Sequence, residues 1–106
     1  MISLAHPSLT KAQRRYLASF AQDLEPAEKA MPEADFVGRL AGHNFDGECQ
    51  LGEFRVALAL QGKGLLSRVE RHGAGFRCLS VDFTAEGALA LYRVVRREAA
   101  NKAVDF

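Results

Sequence analysis

The feature that most constrains the fold is a pair of short segments joined by a glycine-rich tetrapeptide. Residues 66–71 and 76–83 flank His-Gly-Ala-Gly, whose two glycines can adopt the positive φ angles of a tight turn. From Cys78 to Phe83, polar and apolar residues alternate with the two-residue period of a half-buried strand. The pattern predicts a two-stranded β-hairpin.

Capping residues and proline positions predict two helices before the hairpin. Thr10 and Gln13 have the spacing of a capping box, and apolar residues then recur at helical intervals, which predicts a helix over 10–24. Pro32 suits the first position of a second helix. The segment 42–49 contains two glycines, an asparagine and an Asp-Gly pair, so it is expected to turn.

A third helix is predicted over about 50–62 and a fourth over 85–103. Gly64 is placed to end the third helix in a left-handed conformation, and Thr84 to cap the fourth. Apolar residues of the fourth helix spread widely around its axis, which indicates a second contact besides the core. The third helix is expected to face the core through Leu51, Phe54, Ala57 and Leu58.

The predicted order is helix, helix, helix, strand, strand, helix. We therefore expect an α+β fold, mainly α, with residues 1–106 forming one winged helix-turn-helix domain of three helices, a two-stranded β-wing and a C-terminal helix. Local motifs match this arrangement: 9–17 opens a helix, Lys63-Gly64-Leu65 ends one, and Thr84 precedes Glu86-Gly87. In these motifs the chain resembles MarR-like and related winged-helix regulators, which implies DNA binding.

Charge is unevenly distributed along the chain, although the net charge is only +1. Residues 1–53 contain five Lys/Arg and eight Asp/Glu, whereas residues 54–106 contain nine Lys/Arg and five Asp/Glu. Cations are therefore concentrated in the half that holds the hairpin, which is compatible with one surface meeting an anion.

The leading functional hypothesis is a transcriptional regulator, or a plasmid or phage control protein, that binds double-stranded DNA. A homodimer through the C-terminal helix would present two copies to two half-sites. Cations of the first helix, Lys11, Arg14 and Arg15, would add contacts to the DNA backbone. The expected DNA-binding residues are Gln50, Arg55, Lys63, Arg68, Arg71, His72 and Arg77.

Two alternatives use the same residues differently. The cations can simply solvate a surface, with Arg68 and Glu70 offsetting each other. Alternatively, Val56 and Leu60 of the third helix join the spare apolar surface of the last helix to form a contact with another protein. Winged-helix adaptors and accessory subunits work in this way, without binding DNA.

Other function classes have weaker support in the sequence. No nucleophile–base or paired-carboxylate arrangement stands beside a glycine-rich elbow, so we expect neither catalysis nor a cofactor. His43, Cys49, His72 and Cys78 repeat a His-x5-Cys spacing, but structural zinc ligands usually lie closer together, and no metal site is expected. With no long apolar run and two cysteines treated as free thiols, a cytoplasmic protein away from membranes is expected.

Overall fold

The computed structural model describes residues 8–104, and the side chains of residues 8–100. This part of the chain is α+β and mainly helical. The helices are α1 (Lys11–Phe20), α2 (Pro26–Lys29), α3 (Glu33–Leu40), α4 (Glu53–Gly62) and α5 (Ala85–Val104), and the strands are β1 (Asn44–Glu48), β2 (Leu66–His72) and β3 (Cys78–Phe83).

The sheet has three strands in the order β1-β3-β2, and both pairings are antiparallel. The turn expected over 42–49 is therefore wrong, and so is the two-stranded sheet, because β1 adds a third strand beside β3. The reason lies in Phe45, the one large apolar residue of β1. Its ring packs 4.8 Å from that of Phe20 and 5.4 Å from that of Phe83, which anchors an otherwise polar strand to the core.

The predicted hairpin is confirmed as β2 and β3. Gly73 and Gly75 in the turn have φ angles of 82° and 69°, as the glycine pair led us to expect. Phe76 also has a positive φ and its side chain is exposed, so the second strand begins at Cys78 instead of Phe76.

The capping box of α1 is confirmed. Thr10 Oγ1 accepts a hydrogen bond of 3.1 Å from the amide of Gln13, and Gln13 Oε1 accepts one of 3.0 Å from the amide of Thr10. The helix ends at Phe20, earlier than predicted, and one 3₁₀ turn follows. Pro32 is the residue that precedes α3, one position before the site predicted for it.

Helix α4 begins at Glu53, because Gly52 before it has a φ of 85°. The late start leaves Leu51 outside the helix and fully exposed, and Leu58 is exposed as well, so the predicted core face is wrong at both positions. Ala57 and Leu60 are the buried residues of α4, so the alternative in which Leu60 contacts another protein is wrong at this position.

The end of α4 and the start of α5 meet at one point. The predicted glycine cap is confirmed: Gly64 has a φ of 82°, and the amide of Leu65 donates to the carbonyl of Leu60 over 3.0 Å. Thr84 caps α5 by accepting a hydrogen bond of 2.9 Å from the amide of Gly87. A Cβ at Gly87 would overlap the carbonyl oxygen of Leu65, so only glycine permits this approach.

The core lies between the helices and the inner face of the sheet. It contains one cluster of buried apolar side chains to which α1, α3, α4, α5 and two strands all contribute. Its largest fully buried members are Phe36, Phe83, Leu17, Leu40, Leu60, Leu65, Leu66, Leu91 and Val81.

Candidate functional site

The outer face of the sheet holds part of the predicted DNA interface, and the positive charge of its arginine is offset by carboxylates of the same chain. Register places Arg68 opposite Asp82 and Glu70 opposite Ser80. Arg68 Nε lies 3.0 Å from Asp82 Oδ2, its Nη1 lies 3.2 Å from Glu70 Oε1, and its Nη2 donates to Ser80 Oγ over 3.1 Å. The expected offset of Arg68 by Glu70 is thus confirmed, and Asp82 strengthens it.

Further carboxylates make this outer face acidic. Asp46 and Glu48 share it, because they pair in register with Ser80 and Cys78 of β3. Asn44 Nδ2 donates to Asp82 Oδ1 over 2.6 Å, and this hydrogen bond, together with Arg68, lowers the pKa of Asp82. The ionised carboxylate is therefore stable here. A surface of this composition repels phosphate.

Three other predicted contact residues are also engaged inside the molecule. Arg71 donates through Nε and Nη2 to the carbonyl of Phe76, at 3.0 and 2.8 Å, and its guanidinium lies 5.3 Å over the ring of Phe54. His72 Nε2 lies 2.9 Å from Asp46 Oδ1. Gln50 donates through Nε2 to Glu48 Oε1 over 3.1 Å, and its backbone amide donates to Glu53 Oε1 over 2.9 Å.

Lys63 contacts the start of α1 and the residue Ser8 before it. Its Nζ donates to the carbonyl of Ser8 over 2.5 Å and to Gln13 Oε1 over 2.7 Å, so it secures the entrance to α1. Only Arg55 and Arg77, of the seven predicted residues, make no side-chain hydrogen bond or ion pair with a described residue. The structure therefore does not gather the predicted set into one cationic surface.

Five other cations line a groove of about 770 Å³ between α1 and α5. We call it the cationic groove. Two rows of cations line it, one from each helix: Lys11, Arg14 and Arg15 on α1, and Arg93 and Arg97 on α5. Within residues 8–100, no carboxylate lies at ion-pair distance from any of these five side chains.

Most of the buried or half-buried residues that line the cationic groove are apolar, and we call these apolar residues its floor. Arg14 donates to the carbonyl of Leu9 over 2.7 Å, which holds the chain before α1 against the helix. Alanines on both helices leave the space open, because their small side chains do not fill it. The apolar lining residues are Leu9, Ala18, Leu65, Ala90 and Val94.

One acidic residue also lines the cationic groove. Glu98 Oε1 is buried and accepts no hydrogen bond from any described residue. Buried carboxylate oxygens are nearly always hydrogen-bonded, because desolvation without a partner is costly. Glu98 therefore offers an unused acceptor among the residues that line the groove, and it also lines a second, smaller cavity beside Lys29 and Arg96.

Sequence reasoning found half of this site. It assigned Lys11, Arg14 and Arg15 to anion contacts but did not identify Arg93 and Arg97. The available signal was their i, i+4 spacing on the last helix, which places both on one face. That this face lies beside α1 depends on the tertiary fold.

Comparison with known proteins adds no relative. No protein-family model matches the chain, and no curated protein or solved structure matches it significantly. In the described residues no three His, Cys, Asp or Glu side chains come together as metal ligands would. Among the helices of residues 8–104, none combines the length and apolarity needed to cross a bilayer.

Proposed function

We propose that the chain is a non-catalytic binding domain of the winged-helix type, which captures an acidic segment of a partner protein in the cationic groove. One observation carries this proposal: two rows of cations without carboxylate partners flank an apolar floor. The helices set against a β-hairpin support the winged-helix assignment, although here a single helix, α4, separates β1 from β2.

The arrangement favours an anionic occupant for electrostatic reasons. Like charges held on neighbouring helices repel one another, and among the described residues that line the groove one carboxylate, that of Glu98, faces five cations. An acidic partner removes that repulsion and forms charge-assisted hydrogen bonds with the arginines. The affinity should therefore fall as salt rises.

The apolar floor favours a polypeptide over a DNA duplex. A duplex presents phosphates to the cations but no apolar ridge that fills the space between them. An acidic polypeptide supplies carboxylates and apolar side chains together. Burying the floor then adds a hydrophobic contribution to the electrostatic one.

Fluorescence anisotropy with two labelled probes tests the proposal. The probes are an acidic peptide of about 20 Glu and Leu residues, roughly 30 Å long as a helix, and a random duplex of similar length. Arg93→Glu/Arg97→Glu should weaken peptide binding about 10-fold or more at low salt. The matched control, Arg55→Glu/Arg77→Glu, makes the same charge change outside the groove and should alter it less than about twofold. Equal peptide affinity in all three proteins would reject the proposal.

Binding of double-stranded DNA through α4 and the hairpin is the second candidate. It is favoured by Arg55 and Arg77, which are exposed and make no side-chain hydrogen bond or ion pair with a described residue. For this candidate Arg55→Ala should weaken binding most, and Arg77→Ala should reduce the salt dependence of duplex affinity between about 50 and 200 mM. Arg68→Ala, also expected to reduce it, now removes ion pairs within the sheet as well. Duplex affinity unchanged by these substitutions would exclude this surface.

The homodimer through the C-terminal helix stays a prediction. A symmetric pair formed at the cationic groove would bring two sets of five cations together, which opposes association at low salt. Sedimentation equilibrium at low and high salt distinguishes a dimer formed at the groove from a dimer formed elsewhere and from a monomer. A dimer that forms only at high salt would place the α1/α5 face in its interface.

A further inference from the structure

We infer that the segment captured by the cationic groove is an amphipathic helix, acidic along both flanks of its apolar stripe, with one hydrogen-bond donor placed for Glu98. This inference rests on the proposed function and adds the conformation and pattern of the partner. Three features of the groove support it: its two-sided charge, the spacing of its cations and the unused acceptor at its edge.

The two-sided charge discriminates a helix from an extended strand. Cations line the groove on both walls, and the apolar floor lies between them. A strand turns alternate side chains to opposite faces, so apolar residues pointing at the floor would send the acidic ones away from both walls. A helix carries an apolar stripe with polar residues along each edge, which matches floor and walls together.

The spacing of the cations matches helical acidic residues. Arg93 and Arg97 are four residues apart on α5, and Lys11 and Arg15 are four apart on α1. At a rise of about 1.5 Å per residue, each pair spans about 6 Å along its helix axis. Acidic residues at i and i+4 along each edge of a partner helix repeat at the same interval, so a helix lying along the groove pairs with both rows.

Glu98 gives the complex its direction and one specific contact. Its buried Oε1 lacks a donor among the described residues, and Glu98 lines the groove from the same helix as Arg93 and Arg97. A lysine on the partner helix, set at the edge of the apolar stripe, satisfies this oxygen and places a cation among the surrounding acidic residues. Hydrogen bonds to charged groups are the stronger ones, so this position should matter for affinity.

The acidic segment of the chain itself is a poor occupant. Asp23, Glu25, Glu28, Glu33 and Asp35 lie close in sequence, but they are divided between a 3₁₀ turn, the four-residue α2 and the start of α3. Glu28 is already paired with Arg39 at 2.6 Å. No continuous acidic helix is available there, so a separate partner protein is the expected occupant.

Three peptides of about 20 residues, roughly 30 Å long as helices, test the inference on the 106-residue chain by anisotropy and circular dichroism. The first places Leu at i, i+3, i+4 and i+7, Glu along both edges and one Lys at the stripe. The second replaces that Lys by norleucine, and the third scrambles the first. We expect the first to gain helicity on binding and to bind about 10-fold more tightly than the scrambled peptide.

The contact with Glu98 is measured by a double-mutant cycle. The Lys peptide should bind the wild type about fivefold more tightly than the norleucine peptide, and Glu98→Leu should abolish this difference. The comparison of the two peptides on the wild type tests the contact even if Glu98→Leu fails to fold.

The outcomes separate this inference from the proposed function. If the patterned and scrambled peptides bind with equal affinity, and Arg93→Glu/Arg97→Glu weakens both, the helical partner is overturned. The cationic groove then stands as a binding site for acidic peptides. Absence of binding by all three peptides would overturn both. Displacement of the labelled patterned peptide by duplex DNA, at a lower concentration than the unlabelled peptide requires, would replace the proposed occupant.

Discussion

The outer face of the sheet and the cationic groove both carry arginines, but only the arginine of the sheet is paired with carboxylates. On the sheet, three nitrogens of Arg68 donate hydrogen bonds, one each to Asp82, Glu70 and Ser80. In the groove, five cations line one wall or the other without a carboxylate at ion-pair distance among the described residues. The number of cations in a segment therefore does not identify an anion-binding surface. What identifies it is whether carboxylates of the same chain already pair with those cations.

The largest effect on stability is expected at Gly87, which packs against Leu65 between the groove and the sheet. Gly87→Ala places a Cβ against the carbonyl of Leu65, which lines the groove and leads into β2, and should lower the free energy of unfolding by about 3 kcal/mol. Gly38→Ala, on the exposed side of α3 with nothing within 4 Å, is the control and should raise it by about 0.5–1 kcal/mol. Urea denaturation measures both. Equal stability of the two variants would show that α5 approaches Leu65 less closely.

The next effect concerns the unused acceptor of the groove. Glu98→Leu removes a buried carboxylate oxygen that has no donor among the described residues, and should raise the free energy of unfolding by about 1 kcal/mol. Glu98→Gln keeps a buried polar group, so its free energy of unfolding should rise less than that of Glu98→Leu. A loss of stability in Glu98→Leu would mean that the carboxylate already has a partner.

Matched substitutions of arginine should shift stability in opposite directions. Arg68→Gln breaks the ion pairs with Asp82 and Glu70, so its urea midpoint should fall at low salt. Arg93→Gln relieves repulsion in the groove, so its midpoint should rise at low salt and return to the wild-type value at high salt. Shifts of the same sign would remove the contrast between the two surfaces.

The smallest expected effect is a pH dependence on the sheet. The pKa of Asp82 is lowered by Asn44 and Arg68, so its stabilising contribution is present above the ordinary carboxyl pKa of about 3.9 and is lost as pH falls through the lowered value. Asp82→Asn should therefore be less stable than the wild type near neutral pH, by less than about 1 kcal/mol. The difference should shrink below about pH 4, which thermal unfolding at several pH values measures.

Local features of the fold were predictable because their physics is local. The capping box of Thr10 and Gln13, the left-handed Gly64 and the glycine turn of the hairpin depend on residues close in sequence. Strand β1 was not predictable, since Phe45 is its one large apolar residue and Gly47 interrupts the pattern. The core face of α4 was misjudged because Gly52 delays the start of the helix.

The candidate site was only half predictable, because both of its defining properties are tertiary. The neutralisation of Arg68 by Asp82 depends on the register between β2 and β3. The groove requires α1 and α5, at opposite ends of the sequence, to lie side by side, so that Arg15 and Arg93 line one cavity. Counting charges along the sequence reveals neither the ion pair of Arg68 with Asp82 nor the position of α1 beside α5.

The position of β1 at the edge of the sheet has a consequence for the order of folding. The β2–β3 hairpin closes a short loop, whereas the pairing of Asn44 with Asp82 closes a long one and costs more chain entropy. The hairpin should therefore form first and β1 should dock last, completing the core when Phe45 meets Phe83. By the same reasoning β1 is the first strand to detach in a partial opening, and its amides should exchange with solvent ahead of those of β3.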